Sequence, residues 1–239
     1  VSLPSGGGGS GRSQGGKVRV LTAKKRSNSS NRWLQRQLND PYVKAAKAAG
    51  WRSRAAYKLI ELDERFSLLR GVSRVVDLGA APGGWCQVVM KERPKAKVVA
   101  IDLLPVEPIT GVTIFQKDIL DDDAESMILE ALGGTADLVL SDMAANTVGH
   151  QQTDHIRTMA LIEAGLDMAS RLLRPGGNFV AKVLAGGGDN QLTSALKKAF
   201  ATVKHVKPPA SRKGSSEWYV VAQGFKGRVV ELPEPVETV

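Results

Sequence analysis

Between Arg74 and Phe200, short apolar segments alternate with longer stretches whose apolar residues recur at helical spacing, and this alternation constrains the fold more than any other feature. Arg74–Leu78, Val98–Asp102, Val112–Gln116, Asp137–Asp142 and Asn178–Val183 read as strands. Gly84–Arg93, Asp123–Leu132, His155–Arg174 and Asn190–Phe200 read as helices. In the segment 155–174, Met159, Ile162, Leu166, Ala169 and Leu173 fall on one stripe, and Pro175-Gly176-Gly177 predicts its stop. Strands with so little polar alternation must be covered on both faces, so the pattern predicts an α/β fold: a Rossmann-like, mostly parallel sheet between helices. Ala201–Lys207 and Glu217–Gln223 follow, joined by a short link rich in Pro, Ser and Gly. That link is too short for a crossover helix, which predicts a hairpin and an antiparallel last strand at the sheet edge.

Charge divides the chain. Residues 1–70 hold 15 basic and 4 acidic side chains, whereas 71–239 hold 18 and 20, so the net +9 comes from the N-terminal part. Such segregation fits a near-neutral core carrying an arm for a polyanion. Residues 1–30, rich in Gly and Ser, are expected to be disordered, and 31–70 to form a basic helical extension. The core is assigned to 71–226 and a tail to 227–239. Within the extension Pro41–Gly50 reads as a helix, and Ser53 as the cap of a second in which Ala55, Leu59, Leu62 and Phe66 share a face. Arg32, Arg36, Lys44, Lys47, Arg52 and Arg54 are the expected phosphate contacts. The single Cys86 cannot form an internal disulfide and reads as a core thiol; His150, His155 and His205 lack metal or triad spacing. With no apolar run of membrane-spanning length, a soluble cytoplasmic protein without a metal is expected.

The first strand-to-helix turn reads Gly79-Ala80-Ala81-Pro82-Gly83-Gly84. Glycines there let the backbone approach a ligand at the site where such sheets bind nucleotides. The dinucleotide fingerprint G-x-G-x-x-G is absent, which favours a nucleoside without phosphate, such as S-adenosylmethionine (SAM). Asp102 ends the second strand, where a carboxylate accepts hydrogen bonds from ribose hydroxyls. Asp118 lies just beyond the third strand, placed for an adenine amine, and Asp142 ends the fourth.

Taken together, Ser53–Leu59, Asp77–Trp85, Asp102–Pro105, Ser141–Ala144 and Ser215–Tyr219 resemble, in order, the motifs of the FtsJ/RrmJ family of ribosomal RNA ribose 2′-O-methyltransferases. The resemblance implies the methyltransferase sheet with an antiparallel last strand, and SAM contacts from Gly83, Trp85, Asp102, Asp118 and Asp142. It also implies a catalytic tetrad of Lys58, Asp142, Lys182 and Glu217. By the same analogy Asp142 orients the base, and Glu217 positions a lysine or the substrate ribose. The implied partner is ribosomal RNA, within the large ribosomal subunit, for a monomeric enzyme.

Elementary chemistry agrees with that tetrad. Methyl transfer to a ribose hydroxyl needs the reacting atoms in line and the hydroxyl proton removed. A lysine accepts that proton only when neutral, a form favoured by burial and by a second cation. Lys182 interrupts the apolar run Phe179–Val183, and Lys58 supplies the neighbouring charge. Two other readings stay open from sequence: a non-catalytic SAM-fold protein assisting ribosome assembly, and a 2′-O-methyltransferase acting on transfer RNA or an mRNA cap.

Overall fold

The computed structural model describes residues 37–145, 151–184 and 190–227. Its strands are β1 (Arg74–Leu78), β2 (Lys97–Asp102), β3 (Val112–Gln116), β4 (Ala136–Ser141), β5 (Leu173–Leu184), β6 (Phe200–Val206) and β7 (Glu217–Phe225). The helices are α1 (Pro41–Ala48), α2 (Ala55–Phe66), α3 (Gly84–Glu92), α4 (Ala124–Leu132), α5 (Gln151–Leu172) and α6 (Asn190–Ala199). The strands form one sheet in the order β3-β2-β1-β4-β5-β7-β6. Pairing is parallel from β3 through β5, and β7 runs antiparallel to both β5 and β6.

The predicted architecture is therefore the observed one, with one correction at the edge. The last strand is antiparallel, yet it inserts between β5 and β6 and leaves β6 outermost. Composition explains the exchange. Tyr219, Val220, Val221 and Ala222 of β7 are buried, whereas Lys204 and His205 of β6 are exposed, as suits an edge that must not pair further.

Successive residues of a strand face opposite sides of a sheet, and here both sides are apolar. Val76, Leu78, Val99, Ile101 and Val139 pack with Ile128, Leu166 and Leu196 from α4, α5 and α6. Val75, Val98, Leu138, Leu140, Val180 and Val221 face the other way, toward Ala56, Leu59 and Leu62 of α2 and Cys86 and Val89 of α3. The second basic helix is thus part of the core, and Lys58 is buried on it.

Three local expectations change. The helix α5 ends at Leu172, because Leu173 already pairs with Ala136 as the first residue of β5. Pro175-Gly176-Gly177 is then an irregularity inside that strand, opposite Asp137, where the register shifts. Ser53 does not cap α2. The cap position falls to Arg54, without a side-chain hydrogen bond, and the buried Ser53 hydroxyl lies against Gly84, where a Cβ would come within 2.5 Å of its oxygen. The side-chain cap is instead on α1, where the N–H groups of Tyr42 and Val43 donate to Asp40 at 3.0 and 3.4 Å.

Candidate active site

The C-terminal ends of β1, β2, β3 and β4 open onto a cleft of about 440 Å³. Gly79, Ala81, Asp102, Asp118 and Asp142 line it, together with apolar residues that include Ile119. Crossing strand ends at a topological switch is where a doubly wound sheet leaves room for a ligand. Gly79 has φ +74°, and a Cβ there would come within 2.5 Å of the Met143 side chain and 3.0 Å of its Cα, so the close approach of the two loops requires glycine. Asp102 is fixed by its own backbone surroundings: the N–H of Ala81 donates to Oδ2 and that of Leu104 to Oδ1, both at 2.8 Å. Asp118 Oδ1 accepts from the N–H of Leu120 at 3.0 Å. Each carboxylate oxygen keeps a further lone pair for a hydroxyl or amine donor.

Of the residues expected from sequence at the cofactor, Asp102, Asp118 and Asp142 come together in this lining, while Gly83 and Trp85 stand outside it. Gly83 precedes α3 with φ +101°, and no side chain caps the helix, so the first-turn N–H groups have no capping acceptor. Trp85 is buried. Its indole N–H donates to the Ala55 carbonyl at 2.8 Å, and its ring lies 5.8 Å from that of Tyr219, so the side chain joins α3 to α2 and β7.

Beside the cleft, four elements converge. The β5–β7 register sets Lys182 opposite Tyr219, and Glu217 lies two residues before Tyr219 on the same strand face. That face also holds Val180 and Val221 and is the one covered by α2, which delivers Lys58. Lys182 Nζ donates to the Asp142 backbone carbonyl at 2.7 Å and pairs with Oδ1 at 3.1 Å. Lys58 Nζ is in contact with Glu217 Oε1, donates to the Tyr219 hydroxyl at 3.0 Å and lies 4.0 Å from Asp142 Oδ2. The Tyr219 hydroxyl is 2.7 Å from both Asp142 Oδ1 and Glu217 Oε1.

Burial opposes ionisation of Asp142, but the ammoniums of Lys182 and Lys58 and the hydrogen bond from Tyr219 outweigh it and hold the carboxyl below its ordinary range. Tyr219 is pushed well above its ordinary value by burial and then by the charges of Asp142 and Glu217, so it stays a neutral phenol. The four tetrad residues expected from sequence thus meet at one place. Sequence reasoning passed over Tyr219, whose signal was its position two residues from Glu217 in a strand.

Two arginines expected at RNA phosphates are engaged within the fold instead. The Arg52 guanidinium donates to the carbonyls of Pro82, Glu107 and Pro108 at 3.1, 2.6 and 2.8 Å, fastening the glycine-rich turn to the segment after β2. Arg54 pairs with the buried Asp40 and donates to the Ala210 carbonyl; Arg212 also reaches Asp40, at 3.1 Å. This knot ties α1 and α2 to the link before Glu217. Lys44 and Lys47 remain exposed on α1, and Arg32 and Arg36 lie outside the described residues. Beneath the glycine-rich turn, Asp77 is buried, with Oδ2 accepting from the Cys86 thiol at 3.1 Å and Oδ1 unpaired.

The chain has relatives among known proteins. A family model described as FtsJ-like methyltransferase matches residues 51–225. A protein of Rhizorhabdus wittichii named Ribosomal RNA large subunit methyltransferase E is 68% identical over 214 residues, covering 90% of this chain and 93% of its own. A protein of the same name from Novosphingobium aromaticivorans is 70% identical over 210 residues, covering 88% and 95%. Among solved structures, a Plasmodium falciparum chain bearing the name ribosomal RNA methyltransferase superposes with a TM-score of 0.67 at 32% identity, covering 74% of this chain and 100% of that one. The matched segment runs from the loop before α2 to the end of β7 and holds both the cleft and the lysine cluster, and the chain belongs to the FtsJ-like methyltransferase family.

Proposed function

We propose that this methyltransferase moves the methyl group of SAM to the ribose 2′-hydroxyl of a uridine in large-subunit ribosomal RNA, with Lys182 as the general base. The observation that carries the proposal is the convergence of Lys58, Lys182, Asp142, Glu217 and Tyr219 at the side of an acid-lined cleft. The names of the relatives supply the RNA class.

The donor and acceptor set suits SAM. Asp102, held by two backbone N–H groups, would accept from the ribose hydroxyls, and Asp118 from the adenine amine. The uncapped start of α3 would offer N–H groups to a carboxylate, a role left for the backbone of Gly84 and Trp85, since the N–H of Gly83 already donates to the Ala80 carbonyl at 2.6 Å. Asp142 belongs to both the cleft and the cluster and sets an anion beside a cationic centre. When bound, SAM supplies a methyl group already activated by its positively charged sulfur.

The protein does the rest through proton handling and alignment. A neutral lysine amine has two hydrogens and one lone pair. At Lys182 both hydrogens have acceptors on Asp142, the backbone carbonyl and Oδ1, which leaves the lone pair to receive the ribose proton. Lys58 lies deeper, in contact with Glu217 and Tyr219, where it supplies the neighbouring positive charge. General-base assistance of this kind is worth about 10²–10⁴ in rate.

No helix among the described residues is long and apolar enough to cross a membrane. The setting proposed is the cytoplasm, with the large subunit or its RNA as partner and a monomer as the active form. The test supplies labelled SAM with large subunits lacking the modification, then digests the RNA and maps the labelled nucleoside. Label on a uridine ribose supports the reading. Label on a base, or labelling of transfer RNA or capped mRNA in place of the subunit, overturns it.

A further inference from the structure

Resting on the assignment of Lys182 as base, we propose that Tyr219 is a positioning residue for methyl transfer: its single hydroxyl hydrogen, shared between Asp142 and Glu217, locks the Lys182–Asp142 pair to the Lys58–Glu217 pair. Hydrogens are scarce at this oxygen. A phenol has one, yet two carboxylate oxygens lie 2.7 Å from this oxygen, and an ammonium donates to it at 3.0 Å. The hydrogen therefore serves one carboxylate at a time, while Lys58 holds the oxygen and Glu217 in place from the other side. Without the hydroxyl, nothing seated between Asp142 Oδ1 and Glu217 Oε1 would hold the two at hydrogen-bonding distance from a common atom.

The location makes the hydroxyl suited to act through others. Tyr219 is fully buried, its ring is held against Trp85, and it is absent from the lining of the cleft. What it reaches is Asp142 Oδ1, the same oxygen that orients Lys182 at 3.1 Å. Asp142 is faced by Lys58 from α2, by Lys182 from β5 and by Tyr219 from β7, with the acids Asp77 and Asp102 acting on the same region from β1 and β2. Among these, only Tyr219 offers a neutral donor that keeps its proton through the working pH range.

Tyr219→Phe removes the oxygen and keeps the ring. The expected result is a fall in kcat of about 10–100-fold, with KM for SAM and for RNA changed by less than about twofold, since only alignment of the base is lost. The acid limb of the kcat profile should also move to higher pH, because Asp142 loses a hydrogen bond that favours its ionised form. Carboxyl-carbon NMR of Asp142 reads the same change without turnover. It should titrate at higher pH in Tyr219→Phe than in the parent. Should that variant not fold, 3-fluorotyrosine at position 219 keeps the hydroxyl as a stronger donor and should move the Asp142 titration to lower pH.

A Tyr219→Phe enzyme with parental kcat and an unmoved acid limb would overturn the proposal, as would an Asp142 titration insensitive to either replacement. Failure of the base assignment looks different. An active Lys182→Arg enzyme would sink that assignment alone, while the Asp142 titration still decides whether Tyr219 governs Asp142.

Discussion

The strand beneath the glycine-rich turn and the cluster beside the cleft each contain an aspartate whose surroundings oppose its charge, and the two are driven in opposite directions. Asp77, under the glycine-rich turn, has a thiol as its side-chain partner and one oxygen unpaired. Burial pushes its carboxyl up to about 7, against the hydrogen bond from Cys86 and with a further push from the charges of Asp142 and Asp102. Asp142 also meets a cost of burial, but two ammoniums and a phenol reverse the outcome. Burial alone therefore does not decide what a carboxylate becomes; the cations brought to it from distant parts of the chain do. The cleft is assembled from strand ends with backbone N–H groups from their own and adjoining loops. The cluster needs α2, β4, β5 and β7 all in place, and its members satisfy one another.

The most damaging way to break that mutual satisfaction is to remove Lys58. Lys58→Met keeps much of the apolar stem but leaves Glu217 and Asp142 near each other with one cation between them. We expect a loss of about 3 kcal/mol in unfolding free energy, the low end for removing one partner of a buried pair, because Glu217 keeps some exposure to solvent. Denaturant titration measures it. Pairing Lys58→Met with Glu217→Gln should restore part of the loss if the damage is the orphaned charge, and none of it if the damage is packing.

Asp77 tests the other half of the comparison. Its folded-state value lies above the ordinary carboxylate value of 3.8, so between about pH 4 and 7 the folded protein holds a proton that the unfolded chain releases. The contribution is complete below about pH 4 and is lost as pH rises through about 7. Asp142, held below its ordinary range, has the opposite sign: its contribution is present above the unfolded value and is lost as pH falls. Asp77→Asn should flatten the fall in stability between pH 4 and 7, measured without cofactor, by on the order of 3 kcal/mol. An unchanged pH profile would mean that Asp77 ionises normally.

A smaller effect is expected in the cleft, where parts act more independently. Asp102→Ala should weaken SAM binding by roughly 1–3 kcal/mol, with little change in kcat at saturating SAM, since the hydrogen bonds lost lie away from the reacting atoms. Calorimetry gives the first quantity and steady-state kinetics the second. A large drop in kcat would show that cleft and cluster are not separable in this way.

What the sequence made visible follows the same division. Asp102, Asp118 and Asp142 each end or follow an apolar strand, so strand pattern alone grouped them at one edge of the sheet. Lys182 was visible as a charge inside an apolar run. Lys58 and Glu217 emerged from the motifs of the family resemblance, since nothing local in either segment says that they meet. Tyr219 stood in the last of those motifs with no role of its own. Its role depends on β7 lying next to β5 in a register that sets it opposite Lys182, and a hairpin read from sequence placed that strand at the edge. The partners of Arg52 and Arg54 within the fold were hidden for a related reason: they include backbone carbonyls 30 to 156 residues away, which leave no mark in composition. Ser53 had the right residue type for a cap, but close packing against Gly84 took its place.

The central claim is that Lys182, oriented by Asp142, removes the ribose proton. Its most direct test is the single-turnover rate of methyl transfer from labelled SAM to unmodified large subunits by the parent and by Lys182→Arg, with SAM and RNA affinities measured in parallel. Arginine keeps the positive charge and the reach but does not give up its proton at working pH. The account predicts a rate lower by about 10²–10⁴, with both affinities nearly unchanged. A Lys182→Arg enzyme that transfers methyl groups within a fewfold of the parent rate would contradict it.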